Sequence, residues 1–389
     1  MKILIAGVDG YLGWALAQHL AARGHDVGGI DNFFRRRWVA EMGSCSALPI
    51  ASMPERISAF ARTFDKQLSF WNLDLRSFDD VREILKSWSP QAIVHLGECP
   101  SAPYSMIDAE HAIFTQTNNV ASTLTLLFAM RDVCPEAHLV KLGTMGEYGT
   151  PNVPIAEGFF EIEYRGRTDR MPFPKNAGSW YHWSKVHDSN NVMFACGLWK
   201  LRATDVMQGV VFGTRAADAA PKEHMSTRLD FDQAFGTAIN RFCCQAVIGH
   251  PLTVYGGGGQ RRTFLPLRDS MQCLTIALEN PPEPGEYRVF NQFESVHDLL
   301  SLAHMVRAAA RELGISVEII SLDNPRVERE NHYYQPERRR LTDLGYRPSC
   351  DLRTELKTAL VDLTPCRATI EKYKQVLLPD IRWDGVRSF

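Results

Sequence analysis

Tyr181 and Lys185 stand one helical turn apart in Tyr181-His182-Trp183-Ser184-Lys185, downstream of Thr144 in Gly143-Thr144-Met145-Gly146-Glu147. A free phenol, with a pKa of ~10, is a poor base at neutral pH. A lysine four residues on lies on the same helix face and favours the phenolate. With Thr144 holding a substrate oxygen, such a set removes the proton of an alcohol. That step is useful where a hydride acceptor waits on the other side.

The elements that must position this chemistry begin at the first residue. Met1 to Ala6 reads as a short buried strand, followed by Gly7-Val8-Asp9-Gly10-Tyr11-Leu12-Gly13 and a helical run through Trp14, Leu16, Ala17 and Leu20. These glycines permit a tight turn, close approach of backbone to a pyrophosphate, and close packing of helix on strand. The helix N-terminus supplies free N–H groups to the phosphates. A second strand, His25 to Ile30, ends at Asp31, whose carboxylate suits the ribose hydroxyls of an adenosine and repels a 2′-phosphate. The expected cofactor is therefore NAD. Arg35, Arg36 and Arg37 carry the opposing argument for NADP, or else form a solvated loop or a clamp on another phosphate. Asp74 either meets the adenine edge or caps the helix beginning near Ser77.

Strands at Leu68–Trp71, Ala92–His95 and His138–Leu142 alternate with helices near Val81–Trp88, Thr117–Asp132 and Tyr181–Leu198. Alternation of this kind predicts an α/β Rossmann fold, a doubly wound parallel sheet covered on both faces. Sites in such sheets lie beyond the carboxyl ends of the strands, where Gly97 to Ser105, Thr144 to Gly149 and Gln208 to Gly213 fall. The segment from Phe33 to Lys66, with a helix over Pro54 to Thr63, reads as a lid or partner surface. Past about Phe212, Pro, Gly and Arg become common, and longer helices are expected at Phe231–Val247 and Asp298–Leu313. The expected division is 1–206 for a dinucleotide-binding domain carrying Thr144, Tyr181 and Lys185. Residues 207–389 would form a smaller C-terminal α/β substrate-binding domain, interleaved with the first. Arg228, Arg262, Arg268 and Arg326 are its candidates for a diphosphate, each weighed against a surface ion pair.

Composition narrows the class. A net charge of −2 gives no basic field for nucleic acid, and no apolar run reaches the length of a membrane span. The apolar start is short and broken by Asp9, unlike a signal peptide. Nine cysteines without a Cys-x-x-Cys pair argue for reduced thiols in a cytoplasmic protein, with no disulfide frame and no metal site.

The glycine motif, Asp31 and the Thr/Tyr/Lys set resemble the extended short-chain dehydrogenases, the group of nucleotide-sugar epimerases and dehydratases. Within it, Asp31-Asn32, Arg35-Arg36, Ser101 to Asp108, Asn118-Asn119, Lys141 to Pro151 and Ser184 to Ser189 resemble the UDP-sulfoquinovose synthase family. So do Gln208 to Val211, Arg241 to Cys243, Gly249 to Gly256, Asn324 to Glu328 and His332 to Tyr334. The resemblance runs nearly end to end. It implies a redox-neutral cycle on UDP-glucose. Held NAD takes hydride from carbon 4 while Tyr181 removes the hydroxyl proton, water leaves from carbons 5 and 6, sulfite adds, and the hydride returns. It also implies a homodimer through the helices near Thr117 and Tyr181.

The candidate catalytic residues are Thr144, Tyr181, Lys185, Glu147, Met145 and His182. Ordinary 4,6-dehydratases place Asp-Glu after the threonine; here Met145 and Gly146 stand there. Glu147 and His182 remain as proton carriers, against a backbone hydrogen bond for Glu147 and packing beside Tyr181 for His182. Candidate cofactor contacts are Gly7, Asp9, Gly10, Tyr11, Leu12, Asp31, Asn32, Arg35, Asp74, Leu75, Leu96, Gly97, Asn118, Tyr181, Lys185 and Gln208. Candidate sugar-nucleotide contacts are Ser101, Tyr104, Thr144, Gln208, Arg228, Thr253, Tyr255, Arg262 and Arg326. Two departures bear on the substrate: Cys99-Pro100 stands where the family has Gln-Arg, and Met207 where it has Asn, both expected to line the pocket. The alternatives are an epimerase or dehydratase acting without sulfite, and a non-catalytic NAD-binding scaffold. The intact Thr144, Tyr181 and Lys185 argue against the scaffold.

Overall fold

The computed structural model describes residues 1–383. Its centre is a seven-stranded, all-parallel sheet in the spatial order Tyr287–Gln292, Arg202–Gln208, His138–Thr144, Ala92–His95, Lys2–Ala6, Asp26–Asp31, Ser69–Asn72. Chain order reverses between Lys2–Ala6 and Ala92–His95. That leaves a crevice beyond their carboxyl ends, the place where doubly wound sheets hold ligands. Both faces are covered. Trp14, Leu16 and Leu20 pack with Met271 and Leu274 on one side, and Leu126, Leu127 and Val192 pack under Leu4 and Ile93 on the other.

The second half has its own core around Phe231, Phe242, Phe264, Leu302 and Leu356. It carries a three-stranded sheet (Ser295–Asp298, Arg261–Pro266, Val210–Phe212) and a parallel pair (Leu252–Tyr255 with Ile319–Leu322). The halves interleave, since the outermost strand Tyr287–Gln292 and the Leu267–Glu279 helix come from beyond residue 207 yet complete the first sheet and its cover.

Several expectations shift. The helix expected from Thr117 spans Ala109–Val133, because Asp108 caps it by accepting the His111 N–H at 2.9 Å. The helix expected from Phe231 begins at Ala238. Asp232 Oδ1 takes the Ala234 and Phe235 N–H groups into a turn first, at 2.9 and 2.8 Å. The Phe33–Lys66 excursion is a wall rather than a lid: Met53 and Phe60 sit in the core, and Arg36 and Arg56 bind Asp9. A hairpin, Phe159–Tyr164 with Arg167–Pro172, has no counterpart in the expectations. Its two-residue turn, Arg165-Gly166, has φ of 52° and 74°, the left-handed pair that closes tight hairpins. Among the described residues no helix is long and apolar enough to cross a membrane, and no group of His, Cys, Asp or Glu could hold a metal ion.

Candidate active site

The crevice opens into a cavity of about 770 Å³ reaching from Gly7 to Arg326. Its first end is made of backbone. Gly7 has φ of +90°, and a Cβ there would lie 2.8 Å from the Leu96–Gly97 backbone. A Cβ on Gly13 would lie 2.1 Å from the Gly7 carbonyl oxygen, so the Tyr11–Ala22 helix can pack this closely only with glycine. Asp31 is held at its strand end by the Asp9 and Phe33 N–H groups, at 2.9 and 2.7 Å. Burial, with Asp9 nearby, pushes its carboxyl up to about 6. Two arginines of the run are paired, Arg35 with Asp230 at 2.8 Å and Arg36 with Asp9 at 2.7 Å, while Arg37 is exposed, lies over the Phe34 ring and does not line the cavity. A glycine cradle, a helix N-terminus and Asp31, with Arg35 and Arg36 already held by aspartates, fit NAD.

Gly7, Gly10, Tyr11, Leu12, Asp31, Asn32, Arg35, Asp74, Leu75, Leu96, Gly97, Asn118, Tyr181 and Gln208 all line the cavity, as do Ser101, Thr144, Met145, His182, Tyr255, Arg262 and Arg326. Asp74 does not cap the following helix, whose N-cap is Ser77; it binds Arg76 at 2.6 Å. Other candidates do not line the cavity. The Asp9 carboxylate is buried between Arg36 and Arg56. Tyr104 directs its hydroxyl to Glu41 at 2.9 Å. Arg228, 2% exposed, is paired with Asp230 at 2.8 Å. Thr253 is buried in its strand, with Gln245 donating to its Oγ1 at 2.7 Å. Met207 packs with Met145 and Tyr148 behind the wall. The Cys99 thiol is also turned away and buried, which pushes it up to about 12; its neighbour Pro100 does line the cavity.

Around Thr144 the geometry separates the two candidate proton carriers. Glu147 is fully buried: Lys175 donates to it at 2.5 Å, Ser189 at 2.9 Å and the Thr144 N–H at 3.1 Å. Burial alone would raise its carboxyl, but Lys141 and Lys175 hold it at about 2. It is a fixed anion that braces the Thr144 backbone. His182 faces the cavity. A Cβ on Gly146 would lie 2.3 Å from its Nε2, so the imidazole occupies the space that a side chain at 146 would need. Its Nδ1 lies 2.9 Å from Ser179 Oγ. Burial, then Arg262, lowers its pKa to about 4, which leaves the ring neutral at pH 7.

Lys185, expected to act directly on Tyr181, bonds Glu98 at 2.5 Å and does not line the cavity. Tyr181 is pushed well above its ordinary value, first by burial and then by the Glu98 carboxylate. Sequence reasoning assigned no role to Glu98, although it stands three residues past a strand end. It also passed over Trp38 and Phe235, stacked 6.3 Å apart, and Arg241, which donates to the Tyr255 hydroxyl at 2.5 Å. Trp383 had no local signal at all. It reaches the cavity by pairing its backbone with Pro325 and Val327 at 2.8 and 3.1 Å.

The NAD dependent epimerase/dehydratase family matches this chain over residues 3–291. A UDP-sulfoquinovose synthase of Sulfolobus acidocaldarius is 46% identical over 384 residues, covering 98% of each chain. The chloroplastic UDP-sulfoquinovose synthase of Spinacia oleracea is 49% identical over 99% of this chain and 80% of its own. Among solved structures, a UDP-glucose 4-epimerase from Bifidobacterium longum in complex with NAD+ and UDP superposes with a TM-score of 0.72. It is 14% identical and covers 95% of this chain and 99% of its own, a likeness of fold. The chain belongs to the NAD-dependent epimerase/dehydratase family, as a member of its UDP-sulfoquinovose synthase group.

Proposed function

We propose that the protein converts a nucleotide sugar through a 4-keto intermediate in a redox-neutral cycle, forming UDP-sulfoquinovose from UDP-glucose and sulfite. The observation that carries this reading is the placement of His182, whose neutral imidazole fills the space beside Gly146 where a dehydratase carries a carboxylate. NAD, when bound, supplies the hydride acceptor at carbon 4 and returns the hydride within the same turnover. Tyr181 takes and gives back the carbon-4 hydroxyl proton. Thr144 Oγ1 accepts the Gly146 N–H at 3.1 Å, which leaves its own proton free for the sugar oxygen. His182 Nε2 removes the carbon-5 proton, made acidic by the ketone, while Met145 keeps the neighbouring wall uncharged. Arg326, half-buried with a buried, unpartnered Nε, and Arg262, oriented by Glu328 at 2.5 Å, bind the diphosphate. Residues 1–206 hold chiefly the cofactor, and the later half the sugar nucleotide.

Incubation of the purified protein with UDP-glucose and sulfite tests this: mass spectrometry should find a sulfonated sugar nucleotide, and its absence overturns the sulfite step. A second reading, epimerisation or dehydration without sulfite, is favoured by one observation. Pro100 on the cavity wall offers neither a charge nor an N–H to a sulfonate. We also infer a homodimer through the Ala109–Val133 and Trp180–Trp199 helices, which leave Ile113, Phe194 and Leu198 at 65%, 67% and 55% exposure. Nine free cysteines suit a reducing compartment such as the cytoplasm.

A further inference from the structure

Residues 378–383 tie together two walls of the cavity. The Gln233 side chain accepts the Asp380 and Ile381 N–H groups at 2.6 and 2.9 Å, and Ile381 packs against the cluster of Trp38, Tyr104 and Phe235. Two residues on, the Trp383 N–H donates to the Pro325 carbonyl at 2.8 Å, and the Trp383 carbonyl accepts the Val327 N–H at 3.1 Å. Gln233 and Phe235 line the cavity at one anchor, Arg326 and Val327 line it at the other, and Trp383 lines it as well.

The residue enclosed by the second pair of bonds is Arg326. Its guanidinium carbon lies 5.0 Å from the centre of the Trp383 ring and 6.0 Å from that of Tyr255. Among the described residues Arg326 hydrogen-bonds through its backbone, donating to Asn324 at 3.1 Å, and its buried Nε is unpartnered. A long side chain loses rotamer freedom when it binds a ligand, so a wall that fixes it beforehand strengthens binding. A carboxylate can be that wall, as Glu328 is for Arg262 at 2.5 Å, but it also offsets the charge. An indole face holds a guanidinium through the ring quadrupole and leaves the charge whole.

We propose that this C-terminal strap is part of the active site, with Trp383 a positioning residue that holds the Arg326 guanidinium toward the cavity for the diphosphate. This rests on the reading of Arg326 as a diphosphate ligand. The backbone bonds of the strap fix where residues 325–327 stand, and the indole fixes where the guanidinium stands.

The test is calorimetric titration of UDP into the full chain as purified with its cofactor, comparing wild type, Trp383→Ala, Trp383→Leu and Trp383→Phe, each with and without Arg326→Met. Trp383→Ala and Trp383→Leu should weaken UDP binding about 3- to 10-fold, the size of one partly desolvated cation–π contact. Leucine keeps apolar bulk without a ring face, which separates lost stacking from lost packing. Trp383→Phe keeps a ring and should stay within about twofold of wild type. With Arg326→Met in place, the Trp383 changes should alter UDP affinity by less than about twofold, since the coupling runs through that arginine. The unfolding midpoint should hold throughout, and a fall that tracks the loss of affinity overturns the proposal in favour of general packing. Unchanged affinity in the Ala and Leu variants, where Arg326→Met alone weakens UDP, overturns it and leaves the diphosphate reading standing. An equal loss in the Arg326→Met background also overturns it, because the indole would then touch the nucleotide itself. No loss in Arg326→Met removes the diphosphate reading, and the proposal with it.

Discussion

The two ends of the cavity recognise anions by different means. At the cofactor end the chain offers backbone: Gly7, Gly13 and a helix N-terminus, with Arg35 tied to Asp230 and Arg36 and Arg56 to Asp9. At the sugar-nucleotide end it offers side chains. Arg241 and Arg326 line the cavity with no carboxylate in ion-pair reach among the described residues, while Arg262 beside them is paired with Glu328 at 2.5 Å. What distinguishes the ends is the charge left unpaired, not the number of arginines.

That contrast breaks most completely at Gly13. Gly13→Val places carbon against the Gly7 carbonyl, and the purified protein should carry no NAD, as read from the nucleotide released on denaturation. Next in size is Arg228 against Arg326. Arg228→Met leaves the buried Asp230 with Arg35 as its remaining partner and should cost about 1–3 kcal/mol in denaturant unfolding, with UDP affinity within about twofold. Arg326→Met should instead weaken UDP binding by ~10- to 100-fold in calorimetry, the loss of one charged hydrogen-bonding partner, with a small change in unfolding. Equal effects of the two on UDP would erase the distinction between paired and unpaired arginines. The smallest effect is one of pH. With a folded pKa of about 4, His182 stays neutral above that value, so carbon-5 proton exchange should hold level through neutral pH on its account and fall as pH drops toward 4. A fall centred near the ordinary imidazole value of ~6.5 would mean that the ring is not desolvated.

The cofactor end was legible because its residues are close in sequence and act through backbone geometry. Gly7, Gly10, Gly13 and Asp31 line the crevice where the strand–turn–helix pattern puts them, and the sheet followed from alternation. The sugar end was legible only in part. Arg326 and Arg262 reach the cavity, Arg262 with Glu328 as its partner at 2.5 Å, but Arg228 does not, since its role is decided by Asp230 two residues on, and no rule of spacing separates a free arginine from a paired one. Glu147 looked as suitable as His182 until Lys141, on the strand that leads into it, and Lys175, 28 residues on, were found to hold it as a buried anion. The Glu98–Lys185 pair spans 87 residues of sequence and leaves no local trace.

The central claim is that a carbon-4 ketone forms and that His182 then removes the carbon-5 proton. It is tested most directly by incubating the protein with UDP-glucose in heavy water without sulfite and following the carbon-5 hydrogen by NMR. The account predicts deuterium at carbon 5 in the wild type, with exchange slowed ~10²- to 10⁴-fold in His182→Gln, the range for loss of a general base. Turnover of the sugar with no deuterium at carbon 5, or undiminished exchange in His182→Gln, would contradict it.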